Sequence, residues 1–325
     1  MLSTIHLDLN DRNESSSSSS ATQQLAHLET HHSEFDFVNR PHSVFSAGRS
    51  AREKLEESAR LPPIVTFCAS LDDVLGGGVP LGRMTEFCGL PGVGKTQLGM
   101  QLAINTFIPG EFDGCDGHSL YIDTEGSFVP SRAMELVNGL VRHMNALTDG
   151  EDGAAKLNDE TIAQHLHCYR VHNYIEQLAL IGQLKDIVKK LNDEQMPNGI
   201  GGGGGGKAIR CVVIDSITFH FRAADQFPDL STRNRLLSKM ASELSDLATS
   251  MNLAVIVMNQ MTTKPGAGVV PALGDVWGHH PSTRVILEAD AIENKRKAIL
   301  VKSSSRPHAT AWYQITQDGI RGCED

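Results

Sequence analysis

Gly89-Leu90-Pro91-Gly92-Val93-Gly94-Lys95-Thr96 is the stretch that decides the fold. It has the form G-x-x-x-x-G-K-[ST], a loop whose backbone N–H groups cradle phosphate oxygens. Ahead of it, Met84-Thr85-Glu86-Phe87-Cys88 reads as a short buried strand. Behind it, Met100, Ala103, Ile104 and Phe107 fall at i, i+3, i+4 and i+7, the apolar stripe of a helix. Strand, glycine turn and helix start together aim a helix N-terminus at an anion. The implied cradle is Gly89, Leu90, Pro91, Gly92, Val93, Gly94, Lys95 and Thr96. Lys95 would meet the β- and γ-phosphates of a nucleoside triphosphate, and the Thr96 hydroxyl would ligate Mg²⁺.

The rest of the chain bounds what such a loop serves. Its 325 residues allow one large α/β domain with an appendage, or two modest domains. A net charge of −10 excludes a global basic field for nucleic acid, so contact with it needs local basic loops or a surface shared with partners. The cysteines Cys68, Cys88, Cys115, Cys168, Cys211 and Cys323 are scattered without a C-x-x-C pair. That suits reduced thiols in a cytosolic or nuclear protein rather than a zinc module. Neither a signal peptide nor an apolar run of membrane-spanning length is present, so a soluble intracellular protein is expected.

Residues 1–60 are expected to be a largely disordered polar segment and linker, with an unbroken serine run at Ser15–Ser20. Within it a short helix is expected over Ser50–Glu57, closed by Pro62-Pro63. Residues 61–325 form the expected α/β core, globular from Ile64-Val65-Thr66-Phe67 onward. Strands are expected at Leu120–Asp123, His165–Val171, Cys211–Asp215 and Leu253–Met258, alternating with helices over Ser131–Met144, a stretch carrying Ile175 to Leu191, and Leu236–Met251. This alternation predicts a mostly parallel sheet covered by helices on both faces. Residues 149–160 read as a surface loop, and 197–206, with six consecutive glycines, as a flexible insertion. Strand-like pieces at Thr283–Leu287, Ala298–Lys302 and Ala311–Ile315, separated by turn residues, predict C-terminal antiparallel hairpins.

Asp215 ends a run of four apolar residues, the pattern of a strand whose carboxylate holds Mg²⁺ through water, or else an ordinary strand-end aspartate. The next residue is Ser216, so an acidic base that orients water must come from elsewhere, and Glu125 at the end of another core strand is the best candidate. Asn259-Gln260 follows the last buried strand, where an amide either touches a γ-phosphate or merely caps the strand. Arg132 carries a planar guanidinium that stacks on a base or is simply solvated. Two loops combine basic and aromatic residues. Phe219–Arg235 holds His220, Phe221, Arg222, Phe227, Arg233 and Arg235; Met261–Arg284 holds Lys264, Trp277, His279, His280 and Arg284. Such loops suit single-stranded DNA by charge and stacking, or pack on a partner subunit. His165 and His167, alternating beside Cys168, read as core or edge residues rather than metal ligands. The guanine-reading N-K-x-D is absent, since Asn294-Lys295 is followed by Arg296-Lys297.

Taken together, Gly92-x-Gly94-Lys95-Thr96-Gln97, Tyr121-Ile122-Asp123-Thr124-Glu125-Gly126-Ser127-Phe128, Ile214-Asp215-Ser216 and Asn259-Gln260 resemble the RecA-type recombinase family in order and spacing. Within its eukaryotic branch the chain is similar to the strand-exchange recombinase paralogues of the C group. Thr66-Phe67-Cys68, Leu71–Pro80 and Val270–Gly274 followed by Trp277-Gly278-His279 carry that closer likeness, which spans residue 50 to the end. The resemblance implies a RecA-like P-loop ATPase core using ATP and Mg²⁺, with slow, DNA-dependent hydrolysis. It implies that Gln97 joins the nucleotide cradle, Lys95 and Glu125 act in hydrolysis, Gln260 senses the γ-phosphate and Arg132 faces the adenine. Thr96 and Asp215 are the implied metal residues, and Arg222, Arg233, Arg235, Lys264 and Arg284 the DNA-facing cations. Sister paralogues, the main strand-exchange recombinase and single-stranded DNA are the implied partners of a nuclear, also cytoplasmic, hetero-oligomer that supports homologous recombination. A stand-alone strand-exchange enzyme and an ATP-bound adaptor are the alternatives. Residues 1–60 show no counterpart of the family's N-terminal helical domain, and Phe45-Ser46-Ala47-Gly48 departs from its Phe-x-x-Ala tether. Lys302-Ser303-Ser304 stands where full recombinases carry an Asp-Ser-Pro cap.

Overall fold

The computed structural model describes residues 50–58, 62–148, 157–195, 207–222, 227–266, 268–290 and 294–323. The segment expected over 1–60 is described only at 50–58; Phe45 and the glycine-rich 197–206 lie outside the described residues. Helix α1 (Ala51–Ser58) belongs to one compact unit and residues 62 onward to another. A reciprocal cap starts α1: Glu53 N–H donates to Ser50 Oγ (3.2 Å) and Ser50 N–H to Glu53 Oε2 (2.7 Å).

The larger unit is built on a twisted sheet. In chain order its helices and strands are α2 (Ala69–Leu75), β1 (Met84–Gly89), α3 (Lys95–Asn105), β2 (His118–Asp123), α4 (Pro130–Thr148), α5 (Asp159–Gln164) and β3 (Leu166–Arg170). Then follow α6 (Tyr174–Gln195), β4 (Ile209–Asp215), α7 (Leu230–Met251), β5 (Ala254–Lys264), β6 (Gly268–Pro271) and α8 (Gly274–Gly278). The end is β7 (Thr283–Ala289), β8 (Lys295–Lys302), β9 (Ala309–Thr316) and β10 (Gly319–Gly322). Strand order is β10-β9-β8-β7-β1-β5-β4-β2-β3, with β6 attached to β5 outside that path. From β7 to β3 all pairings are parallel, whereas β7 to β10 run antiparallel, as the sequence predicts.

Strand periodicity divides the core between the two faces. Cys211 and Val213 of β4 pack with Leu98 and Leu102 of α3 and Leu136 and Leu140 of α4. Val212 and Ile214, one residue out of phase, pack with Leu184 of α6, Leu244 of α7 and Trp277 of α8. Such two-sided burial explains why β1, β2 and β4 read as apolar runs rather than alternating patterns. Their carboxyl ends all fall on one edge, where in open parallel sheets ligand sites are built.

Ile64, where globular order is expected to begin, is buried in the core and bridges Val79 ahead of α2. Three differences from the sequence reading have physical causes. Of the surface loop expected over 149–160, residues 149–156 lie outside the described residues, and its last two open the helix Asp159–Gln164, because the Asn158 side chain accepts the Glu160 N–H at 2.8 Å and caps a turn. Helix α7 begins at Leu230, six residues ahead of its apolar face, because Asp229 accepts the Thr232 N–H at 2.6 Å. Finally, β5 runs on to Lys264 and pairs with β6, so the first half of the second loop is paired strand, and α8 follows it.

The histidine reading agrees with the structure. His118 stacks on His165 (centroids 3.8 Å apart), Phe107 stacks on the other ring, and His167 is buried. Burial, with His165 beside it, pushes the His118 pKa down to about 3, so this cluster is neutral packing. The described cysteines are free thiols, and no described helix is long and apolar enough to cross a membrane.

Candidate functional site

The phosphate loop joins β1 to α3, and two of its glycines are obligatory. Gly92 (φ 80°) and Gly94 (φ 98°) lie in the left-handed region that L side chains rarely adopt. A Cβ on Gly94 would also run into Ile315 of β9. The turn leaves Gly94 as the N-cap of α3 without a side-chain cap, so the first N–H groups of the helix face outward for an anion. Lys95 Nζ reaches back to the carbonyls of Gly89 (2.8 Å) and Leu90 (2.9 Å). Burial lowers its pKa, and the neighbouring Asp215 and Glu125 carboxylates pull it back up.

Thr96 and Asp215 meet, as their pairing in sequence requires. Thr96 Oγ1 donates to Asp215 Oδ2 at 2.6 Å, and the Tyr121 hydroxyl donates to the same oxygen at 2.8 Å. Tyr121 is a contact that sequence reading missed, since a tyrosine inside a buried strand carries no signal of its partner. Burial pushes the Asp215 pKa up; the two hydroxyls oppose this and nearby Glu125 reinforces it. Hydroxyl and carboxylate oxygens side by side are hard donors suited to Mg²⁺, which takes few protein ligands and completes its shell with water and phosphate. No set of three His, Cys, Asp or Glu among the described residues could hold a metal alone. The donor set therefore fits Mg²⁺.

Glu125 follows β2 on a turn that Asp123 organises. Asp123 Oδ1 accepts the N–H groups of Glu125 (3.1 Å), Gly126 (2.8 Å) and Ser127 (3.1 Å), with Arg170 bracing the same oxygen at 3.2 Å. Gln260, from the next strand but one, donates through Nε2 to Glu125 Oε1 at 2.6 Å, and Ser216 Oγ donates to that oxygen as well. Arg222 in turn donates to Gln260 Oε1. Lys95, Thr96, Glu125, Asp215 and Gln260 thus converge from β1, β2, β4 and β5 at one edge of the sheet. Arg132, on α4, is held in plane: Nε donates to Gln97 Oε1 (2.7 Å), and the terminal nitrogens to Glu135 and the carbonyls of Thr316 and Gln317. It couples the phosphate-loop helix to the β9–β10 turn.

The cations assigned to DNA separate into two groups. Arg222 and Arg235 are exposed, and Lys264 is exposed on the β5–β6 hairpin, 3.7 Å from Asp275. Arg233 is half-buried in α7 and donates to the Phe221 carbonyl at 2.8 Å. Arg284 lies on β7, where its Nε donates to the fully buried Glu86. Trp277, read as a stacking platform, is fully buried and donates to Glu86 at 2.7 Å. Phe221 and Phe227 stack on each other and pack beside Tyr174 in the core. These corrections share one cause: the neighbours that bury these groups, Glu86 and Tyr174, lie far off in sequence.

Comparison with known proteins adds to this geometry. The Rad51 family model matches residues 58–191 and 199–323. The chain is 39% identical over 288 residues to the DNA repair protein RAD51 homolog 3 of Cricetulus griseus, covering 86% of this chain and 74% of that protein. With the same-named protein of Dictyostelium discoideum it shares 36% identity over 266 residues, 79% of this chain and 65% of the relative, just under two thirds. The DNA repair and recombination protein RadA of Aeropyrum pernix is 32% identical, with 82% and 76% covered.

Proposed function

The chain belongs to the Rad51 family, and on that footing we propose that it is an ATP-binding and slowly ATP-hydrolysing recombinase paralogue. In this reading it acts in homologous recombination and double-strand break repair, in the nucleus. It assembles with sister paralogues and promotes the filament of the main strand-exchange recombinase on single-stranded DNA. The observation that carries the reading is the meeting of Glu125 and Gln260 beside the Thr96–Asp215 pair at the edge of the phosphate loop.

Each group then has a defined task. The loop N–H groups and Lys95 take the charge of the β- and γ-phosphates, Lys95 exchanging its Gly89 and Leu90 carbonyls for phosphate oxygens. Thr96 and Asp215 would hold Mg²⁺, and the ion would supply positive charge against the phosphates. Glu125 orients the attacking water and accepts its proton. Gln260 lies between Glu125 and the β5–β6 hairpin, so it reports the state of the γ-phosphate to a surface that carries Lys264. Arg132 offers the plane of its guanidinium to the adenine while its edge is fixed. Lys264, Arg222 and Arg235 are the exposed cations for DNA; Arg284 is set aside because it lies largely buried against Glu86.

The test is nucleotide binding, ATP turnover and repair with the protein purified together with its cellular partners. Lys95→Ala is expected to abolish tight ATP binding, and Glu125→Gln to keep binding while stopping turnover. If Lys95→Ala and Lys95→Arg both restore repair and partner binding fully, nucleotide chemistry is dispensable and the chain is an adaptor. Long regular filaments of this chain alone on single-stranded DNA, seen by electron microscopy, would instead make it a stand-alone strand-exchange enzyme.

A further inference from the structure

In ATPases with an Asp-Glu pair at the end of the metal-binding strand, the second acid orients water. Here that position is Ser216, and its side chain does not point away from the chemistry. Ser216 Oγ donates to Glu125 Oε1. Behind it Thr218 Oγ1 donates to Ser216 Oγ at 3.3 Å, and the Gln260 backbone N–H donates to Thr218 Oγ1 at 3.2 Å. The Gln260 side chain closes the ring on Glu125 Oε1 at 2.6 Å.

The backbone N–H can only donate, and the Ser216 hydroxyl is used toward Glu125 Oε1, so the Thr218 hydroxyl between them points toward Ser216. Ser216 and Thr218 are fully buried, which excludes water as a competing partner. The Ser216 backbone is clamped as well: its N–H donates to Thr124 Oγ1, and that hydroxyl donates back to the Ser216 carbonyl, both at 2.8 Å. Oε1 of Glu125 therefore carries two donors, while no donor among the described residues reaches Oε2.

We propose that Ser216 is a positioning residue for hydrolysis, occupying Oε1 of Glu125 so that Oε2 alone faces the reacting water. The inference rests on the reading of Glu125 as the hydrolytic base. Oε2 accepts a proton from water as the water oxygen bonds to the γ-phosphorus, and the bond to the bridging oxygen breaks with ADP as leaving group. A second carboxylate at 216 would repel Glu125; a hydroxyl in the same place holds it. What other ATPases do with one acid is here divided between a glutamate after β2 and a serine after β4.

The experiment compares wild type, Ser216→Ala, Ser216→Cys, Ser216→Thr, Glu125→Gln and the Ser216→Ala/Glu125→Gln double variant, each purified with its partners. ATP turnover and affinity for a fluorescent ATP analogue are measured together. Loss of the hydroxyl is expected to lower kcat by about 10- to 100-fold, the scale of a misplaced catalytic group. Analogue affinity and KM are expected to stay within about twofold, because binding rests on other atoms. Ser216→Cys keeps the packing but loses the strong donor, so it should behave as Ser216→Ala; Ser216→Thr keeps the hydroxyl and should recover most of kcat. Adding Ser216→Ala to Glu125→Gln should cost nothing more, since the two act as one unit. Wild-type kcat in Ser216→Ala and Ser216→Cys, or an undiminished further loss in the double variant, overturns the assignment and leaves the ATPase reading standing. A wild type that neither binds the analogue nor outpaces Lys95→Ala overturns that reading, and this one with it.

Discussion

Two glutamates, one on β1 and one just after β2 with β5 and β4 between, meet the same kinds of donor and end with opposite characters. Glu86 of β1 is fully buried; its Oε1 accepts from Asn259 Nδ2 (2.6 Å) and Trp277 Nε1 (2.7 Å), and its Oε2 from Arg284. Glu125 is half-exposed, and only its Oε1 is occupied. Consecutive amides of β5 serve them, Asn259 on one face and Gln260 on the other, because strand side chains alternate. A carboxylate with both oxygens taken is a bolt between strands; one with a single oxygen taken is held yet still has an oxygen for chemistry. The Glu86 bolt gathers β1, β5, β7 and α8, and Asn259 Nδ2 extends it to the Ala272 carbonyl at 3.1 Å, at the foot of the hairpin.

The largest expected effect breaks the bolt. Glu86→Ala leaves Arg284 buried without its partner and should cost about 3–5 kcal/mol of stability, read from the midpoint of chemical denaturation. An equal loss in Glu125→Ala would erase the distinction between the two sites. Next, Glu125→Gln should lower kcat by about 100-fold or more, on the scale of a lost general base, with an unchanged melting temperature. A drop in melting temperature matching that of Glu86→Ala would make Glu125 structural too. A smaller effect follows from Trp277→Phe, which removes one donor from Glu86 and should cost about 1.5–3 kcal/mol, again by denaturation, with ATP affinity retained. The smallest is Lys264→Glu at the exposed end of β5: stability should change by less than about 0.5 kcal/mol. Its effect should appear instead as weaker, less salt-sensitive binding of single-stranded DNA by the purified assembly; unchanged binding would remove the hairpin from the DNA surface.

The bolt also shows where sequence reading stops. The phosphate loop, β1, β2, β4 and the inner part of β5 were legible because their signals are local: glycines at fixed spacing, apolar runs, an acid at a strand end. Thr96 and Asp215 could be paired because a motif fixes both ends. Arg284 and Trp277 were legible only as a cation and an aromatic. Their burial depends on Glu86, 198 and 191 residues away in sequence, and nothing local to either residue records it. The outer part of β5 and all of β6 were hidden for another reason. They are polar and exposed, and hydrogen bonding between them, rather than an apolar pattern, makes them strands. Ser216 was visible as a departure from the acidic pair, but its bond to Glu125 depends on the side-chain geometry of two separate strands.

The wall that Ile315 makes behind Gly94 has a kinetic consequence. Gln101 of α3 is bound to the Ile320 backbone across 219 residues of chain, and Arg132 to the carbonyls of Thr316 and Gln317. Contacts so distant in sequence form late, because the entropy of closing the intervening chain opposes them until much of the core exists. The loop that defines this protein is therefore translated early and buttressed last. A nascent chain that has produced Lys95 but not β9 and β10 carries the motif without the Ile315 wall behind Gly94 and without the carbonyls that hold Arg132.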